Sequence, residues 1–279
     1  MIKNIAITLS LLLVIVLVAG YLYVTKNGLV PRHAYETVAP ELPEFSRPTI
    51  LIFNKTNGFI HHETIPVSDG MLTGLAEQLG WDVYITNNAA VHNSTDLQKF
   101  KMVIWNNTSG DVLTEIQRRD FKSWLEGGGA WLGLHAAGGD TEYPWNWYVD
   151  VLLGAQFIGH TMEPQFQDAD LYPTGEAREL TGHLPAPWNV KQEEWYAFDQ
   201  SPRGKGYEIL LTIDEGSYIT KGKTKYDFVD SMKGEHPLVW RHELGKGKVF
   251  YSAIGHRPAT YNVPEYRELI RKAMSWAAE

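Results

Sequence analysis

The chain contains no cysteine among its 279 residues. Disulfides, thiolate nucleophiles and cysteine-bound zinc are thereby excluded. Basic charge is scarce as well: 25 Lys and Arg stand against 33 Asp and Glu, for a formal net charge of -8. Lys3 is the only charged side chain before residue 25, so the rest of the chain is more acidic still. A surface of that sign repels phosphate backbones, and no basic run is interleaved with aromatics, so a nucleic-acid partner is not expected. Also missing are a dinucleotide glycine fingerprint, a P-loop and an H-E-x-x-H or similar short ligand spacing. No cofactor is therefore inferred.

What is present suits one folded core. Hydrophobic residues make up 44% of the chain, and there are 10 Trp and 14 Tyr. After removal of an N-terminal tail, about 230 residues remain, enough for a single domain. Ile5 to Val24 (IAITLSLLLVIVLVAGYLYV) is almost wholly apolar. Twenty helical residues rise about 30 Å, the thickness of a bilayer core. Tyr21 and Tyr23 fall where an interfacial aromatic belt would lie. A cleaved signal would have a shorter apolar region and a small-x-small site, and no convincing one follows Val24. Residues 1–25 are thus expected to be an uncleaved anchor that holds the domain outside the cytoplasm, in the periplasm of a Gram-negative source. Residues 26–47, with Pro31, Pro40 and Pro43, read as an extended tether, and residues 48–279 as the domain.

Within the domain, short apolar runs alternate with helical patterns. Thr49–Phe53, Trp81–Thr86, Met102–Trp105 and Ala130–Leu134 read as strands. Thr64 is expected to cap the first intervening helix, with Pro66 in its first turn. Thr114–Gln117 is a capping box for the next. Such alternation argues for an α/β fold whose parallel sheet is covered by helices on both faces. Residues 155–235 are irregular, with strand-like runs at Gln165–Tyr172 and Glu208–Ile213. A hairpin is expected around Gly245–Gly247, then a closing helix with Tyr266, Leu269, Ile270, Ala273, Met274 and Ala277 on one face.

Ligands of open parallel sheets bind beyond the carboxyl ends of the strands. Three strand ends deliver histidine there: His61 and His62 after the first strand, His135 after the fourth, and His256 after the last. The segment Gly133–Gly138 has the small-residue spacing of a sharp strand-to-helix turn, which in hydrolases exposes a nucleophile. Here it displays imidazole, suited to general acid or base work. Asp140 is placed to orient an imidazole or to cap a helix. His160 follows Phe157–Ile158–Gly159, and Glu194 lies in Glu193–Glu194–Trp195–Tyr196, where desolvation beside aromatics raises a carboxyl pKa. His183, His236 and His242 carry less weight.

These segments resemble the ThuA-like (trehalose utilisation) family over roughly residues 49–278. The resemblance rests on NKTNGFIHHETIP, GGGAWLGLHAAGGD with TEYPWNWY, FIGH, EEWYAF and HPLVWRHELGKGKVFYSAIGH. It implies a flavodoxin-like fold similar to class I glutamine amidotransferases, mostly parallel with helices on both faces. In that related fold a cysteine occupies the elbow; His135 stands there instead, so glutaminase chemistry is not implied. The resemblance links the chain to catabolism of trehalose and related sugars, with keto-sugars as the expected intermediates. One departure is the doubled histidine. Counting forward from Gly58 selects His61, whereas counting back from Ile65–Pro66 selects His62, which is taken as the site residue.

The expected reading is a carbohydrate-processing domain. His135, Glu194 and His160 would carry proton transfer, and His62, His256, Asp140, Trp145, Trp147 and Trp195 would bind the sugar. The alternative from another class is a membrane-tethered sugar-binding module without turnover. His62, His135, His160, His256, Asp140 and Glu194 are also suitable metal ligands, which leaves a catalytic metal open.

Overall fold

In the computed structural model, residues 2–30, 32–223 and 231–279 are described; Met1 of the anchor and Pro31 of the tether lie outside these residues. Helix α1 (Ile2–Lys26) contains one span, Thr8–Lys26, long and apolar enough to cross a membrane, with mean hydropathy 2.3 and none of it buried.

The strands are β1 (Thr49–Phe53), β2 (Asp82–Thr86), β3 (Met102–Asn106), β4 (Ala130–Leu134), β5 (Phe157–Gly159), β6 (Gln167–Pro173), β7 (Trp188–Glu193), β8 (Ala197–Phe198), β9 (Glu208–Ile213), β10 (Pro237–Leu244) and β11 (Gly247–Ser252). The further helices are α2 (Thr64–Gln78), α3 (Glu115–Glu126), α4 (Arg178–Thr181) and α5 (Pro264–Ala277). Among the described residues, nine strands form one sheet in the order β2-β1-β3-β4-β11-β10-β9-β6-β7. The run β2-β1-β3-β4-β11 is parallel throughout. From β10 onward each pairing is antiparallel.

The physical cause is visible in burial. Every residue of β1, β3 and β4 is buried, as continuous apolar strands covered on both faces must be. On one face Trp105 of β3 stacks with Phe121 of α3, ring centroids 5.5 Å apart, and meets Trp131 of β4 at 6.0 Å. α2 and α5 pack together elsewhere on the sheet. The closing helix buries the six side chains that its periodicity selected, and α3 carries the Thr114–Gln117 capping box.

Helix α2 starts differently from expectation. Glu63 is its N-cap and makes no side-chain cap bond. Thr64 donates its hydroxyl to the His256 carbonyl instead, which ties the start of α2 to the loop after β11. The proline-containing segment 32–47 is extended and lies along the domain. Lys55 Nζ meets Glu36 Oε1 at 2.7 Å, Asn57 Nδ2 donates to the Ala34 carbonyl at 3.1 Å, and Phe45 packs on Phe100.

Candidate active site

The loops after β1, β4 and β11 open at one end of the parallel strands, and each brings one imidazole to a common point. Ring centroids are 4.9 Å apart for His61 and His135, 4.6 Å for His61 and His256, and 5.3 Å for His135 and His256. Glu194, in the segment joining β7 to β8, completes the group. Its Oε2 lies 3.0 Å from His256 Nδ1 and 3.6 Å from His135 Nε2; its Oε1 lies 3.3 Å from His160 Nδ1 and accepts from Gln165 Nε2 at 2.7 Å. A cavity of about 600 Å³ opens outside His61 and His256 and is walled by Phe59, Phe166, Arg257 and His62.

His135 is fully buried at the elbow with φ +46°, a left-handed conformation that is uncommon outside glycine. The positive φ thus falls on the histidine itself. Neighbouring glycines serve close approach: a Cβ on Gly138 would lie 2.5 Å from the Tyr251 ring, and one on Gly139 2.6 Å from the Tyr196 hydroxyl. Tyr251 donates to the His135 carbonyl at 2.8 Å and holds the turn. The His135 ring stacks on Tyr196 at 4.3 Å, with its Nδ1 2.8 Å from the Ala253 carbonyl and its Nε2 2.9 Å from the Tyr196 hydroxyl. A carbonyl only accepts, so the ring hydrogen sits on Nδ1 and the lone pair on Nε2.

Electrostatics separate the two adjacent carboxylates. Burial pushes Glu193 up to about 7, although it accepts from the Thr260 hydroxyl and the Glu194 and His256 amides. Burial acts on Glu194 in the same sense. There the hydrogen bond from His256 and the charges of His160, His256 and His135 prevail and bring it down to about 2. The expectation that Glu194 would be the raised carboxyl is therefore corrected: its hydrogen-bond partners include the His256 imidazole, whereas those of Glu193 are a hydroxyl and backbone amides. Burial, then the charge of His256, holds His135 down at about 3. His61 lies well below the usual imidazole range for the same reasons, burial first and then His135 and His256.

His135, Glu194, His160 and His256 come together in the structure. His62 does not join them: His61 enters the cluster, while exposed His62 places Nε2 2.8 Å from the Lys26 carbonyl at the cavity mouth. The loop register is fixed at Gly58, which packs on Gly110 and donates to the Ser109 carbonyl, so counting forward from Gly58 finds the right ring. Asp140 contacts no imidazole; its carboxylate accepts from the Gly110 amide and clamps the loop after β3. Burial lifts it to about 6. Trp145 and Trp147 stack on each other at 5.0 Å, beneath Arg118 and Lys122, and do not line the cavity. Trp195 is buried and donates to the Gln167 carbonyl, so it is a core side chain. His236 and His242 likewise spend ring nitrogens on the carbonyls of Tyr196 and Leu152.

Glu193, Tyr196, Gln165 and Phe166 were not singled out by sequence reasoning. Glu193 and Tyr196 flank Glu194–Trp195, but nothing in the local pattern shows which of four consecutive side chains face a site. Gln165 and Phe166 open the strand-like run Gln165–Tyr172 and lie just before β6, and nothing in that run marks them as site residues.

The mostly parallel α/β sheet fits a flavodoxin-like, glutamine amidotransferase-like fold, here with a histidine at the elbow and no cysteine in the chain. The family profile described as trehalose utilisation matches residues 49–277, and the chain belongs to this ThuA family. It is similar to the solved structure of a ThuA-like protein from Bacteroides uniformis, with 25% identity and TM-score 0.71 over 86% of this chain and 95% of that one. A ThuA-like protein from Parabacteroides merdae shares the fold at 19% identity, TM-score 0.59, over 83% and 90% of the two chains. No curated protein matches the chain. Family membership gives it a carbohydrate-related role.

Proposed function

We propose that the chain is a membrane-tethered enzyme that processes a keto-sugar or trehalose-type glycoside by proton transfer between imidazole and carboxylate groups. The observation that carries this reading is Glu194: one buried carboxylate within 3.6 Å of three imidazoles from three separate segments. Holding an anionic carboxylate in a water-poor site is costly unless its partners are fixed, and such preorganised charge serves a reacting group. His256 is partly exposed and lines the cavity, so it is the member that meets an entering ligand, with His160 on the other oxygen of Glu194. Phe59 and Phe166 offer apolar faces to its C–H surfaces.

Residues 5–24 would hold the domain at the membrane, on the periplasmic side. Lys26 and Asn27, at the end of α1, line the same cavity as His61 and His256, so the mouth would face the bilayer surface. The full chain in detergent, incubated with a panel of keto-sugars and trehalose-type glycosides and read by mass spectrometry, tests the proposal. Consumption of a member of the panel that Glu194→Gln abolishes is the expected result. Binding without conversion, equal in the wild type and Glu194→Gln, would make the domain a sugar-binding module instead.

A further inference from the structure

We infer that His61, His135 and His256 together bind one divalent transition-metal ion of the zinc type, in a three-histidine site whose remaining coordination position opens to the cavity. This goes beyond the carbohydrate reading and stands whether or not a sugar is turned over.

The geometry points there by three independent observations. First, one ring nitrogen from each histidine lies within 4.8 Å of the other two. Tetrahedral zinc with Zn–N of about 2.0–2.1 Å needs nitrogens about 3.3 Å apart, so the rings close by at most about 1.5 Å on binding. His61 and His256 both lie outside the strands and helices, in the loops after β1 and β11.

Second, the outer nitrogens are arranged as a metal site requires. A ligating imidazole commonly donates its other N–H to a backbone carbonyl or a carboxylate, which fixes the tautomer. His135 gives Nδ1–H to the Ala253 carbonyl, and His256 places Nδ1 3.0 Å from Glu194. In each ring this leaves Nε2 as the lone-pair donor. The Tyr196 hydroxyl now meets His135 Nε2 and would yield that position to the ion.

Third, His61 Nδ1 is buried with no hydrogen-bond partner among the described residues. A buried nitrogen without a partner calls for an explanation, and an ion held among three imidazoles is one. Imidazole donors without thiolate suit Zn²⁺ and its neighbours Co²⁺, Ni²⁺ and Cu²⁺ over Mg²⁺ or Ca²⁺. Glu194, bonded to His256 and 3.6 Å from His135 Nε2, would orient the ligands and balance charge.

The test uses the full chain in detergent with a tag free of histidine. Protein stripped with chelator is dialysed against Zn²⁺ or Co²⁺ and its metal content measured by mass spectrometry. One ion per chain is expected, with visible Co²⁺ bands of a nitrogen-rich site. His61→Gln and His256→Gln should each lower retention at least tenfold, while His62→Gln retains a full equivalent. Should a histidine variant fail to fold, X-ray absorption on the cobalt-loaded wild type decides, with imidazole nitrogen scatterers expected. Less than a tenth of an equivalent in the wild type, full retention in folded His61→Gln, or an oxygen-only shell would each overturn the assignment.

Discussion

The Tyr196 ring lies stacked on His135, and its hydroxyl meets His135 Nε2 at 2.9 Å while Nδ1 is held by the Ala253 carbonyl. Both ring nitrogens and one ring face are therefore committed by neighbours that the chain supplies from just before β8 and just after β11. A side chain held this way has one rotamer and one tautomer, which is the preorganisation that a chemical site needs.

His135→Asn tests that role. Asn tolerates left-handed φ better than most residues, so the elbow at φ +46° is retained. Turnover of the substrate found by the panel should fall by about two to four orders of magnitude, whether the imidazole moves a proton or holds an ion. The midpoint of thermal unfolding should shift by only a few degrees. A folded variant with full activity would reduce His135 to a packing residue.

Asp140 predicts a pH dependence of stability. Burial raises its folded pKa from 3.8 to about 6, so the native state holds a proton that the unfolded chain releases between those values. Stability from this group is complete below the unfolded pKa and is lost as pH rises through the folded one. The loss is roughly 2–3 kcal/mol by pH 7. Denaturant titrations of the wild type and Asp140→Asn at pH 4 and pH 7 isolate it. The variant should gain relative to the wild type as pH rises; a constant difference would show that Asp140 titrates normally.

Lys55 is nearly buried and paired with Glu36 of the extended N-terminal segment. Glu36→Gln leaves that ammonium without its counter-charge. With Glu36 itself partly exposed, the cost should be about 1–2 kcal/mol rather than that of a fully buried pair. Urea denaturation checks the value. No loss would mean that the segment contributes nothing to the domain's stability.

Gly138→Ala addresses the elbow from its packing side. A methyl group there would approach the buried Tyr251 ring to 2.5 Å, with no flexible chain end to yield. The expected cost is about 1–3 kcal/mol, together with lower activity, because Tyr251 also holds the His135 carbonyl. A crystal structure of the variant with the ring unmoved would contradict this account.

The sequence by itself determined the parallel half of the sheet, its helices and the strand ends that carry His135 and His256. Hydrophobic runs and helical periodicity are local signals, and β1 and β4 begin and end where those signals do. The same logic delivered α5 side chain by side chain, because one amphipathic face must be buried. Only the tertiary structure decided between His61 and His62, since that choice hangs on Gly58 packing against Gly110, a contact across 52 positions of chain. It also decided which of Glu193 and Glu194 has its pKa raised and which lowered, because a carboxyl group's pKa follows its burial and its partners, here for Glu194 the imidazoles that follow β4, β5 and β11. Trp145, Trp147 and Trp195 show the same limit from the other side. An indole suits a sugar face and a protein core equally well, and what lies against it is fixed by packing between distant segments, which no local pattern records.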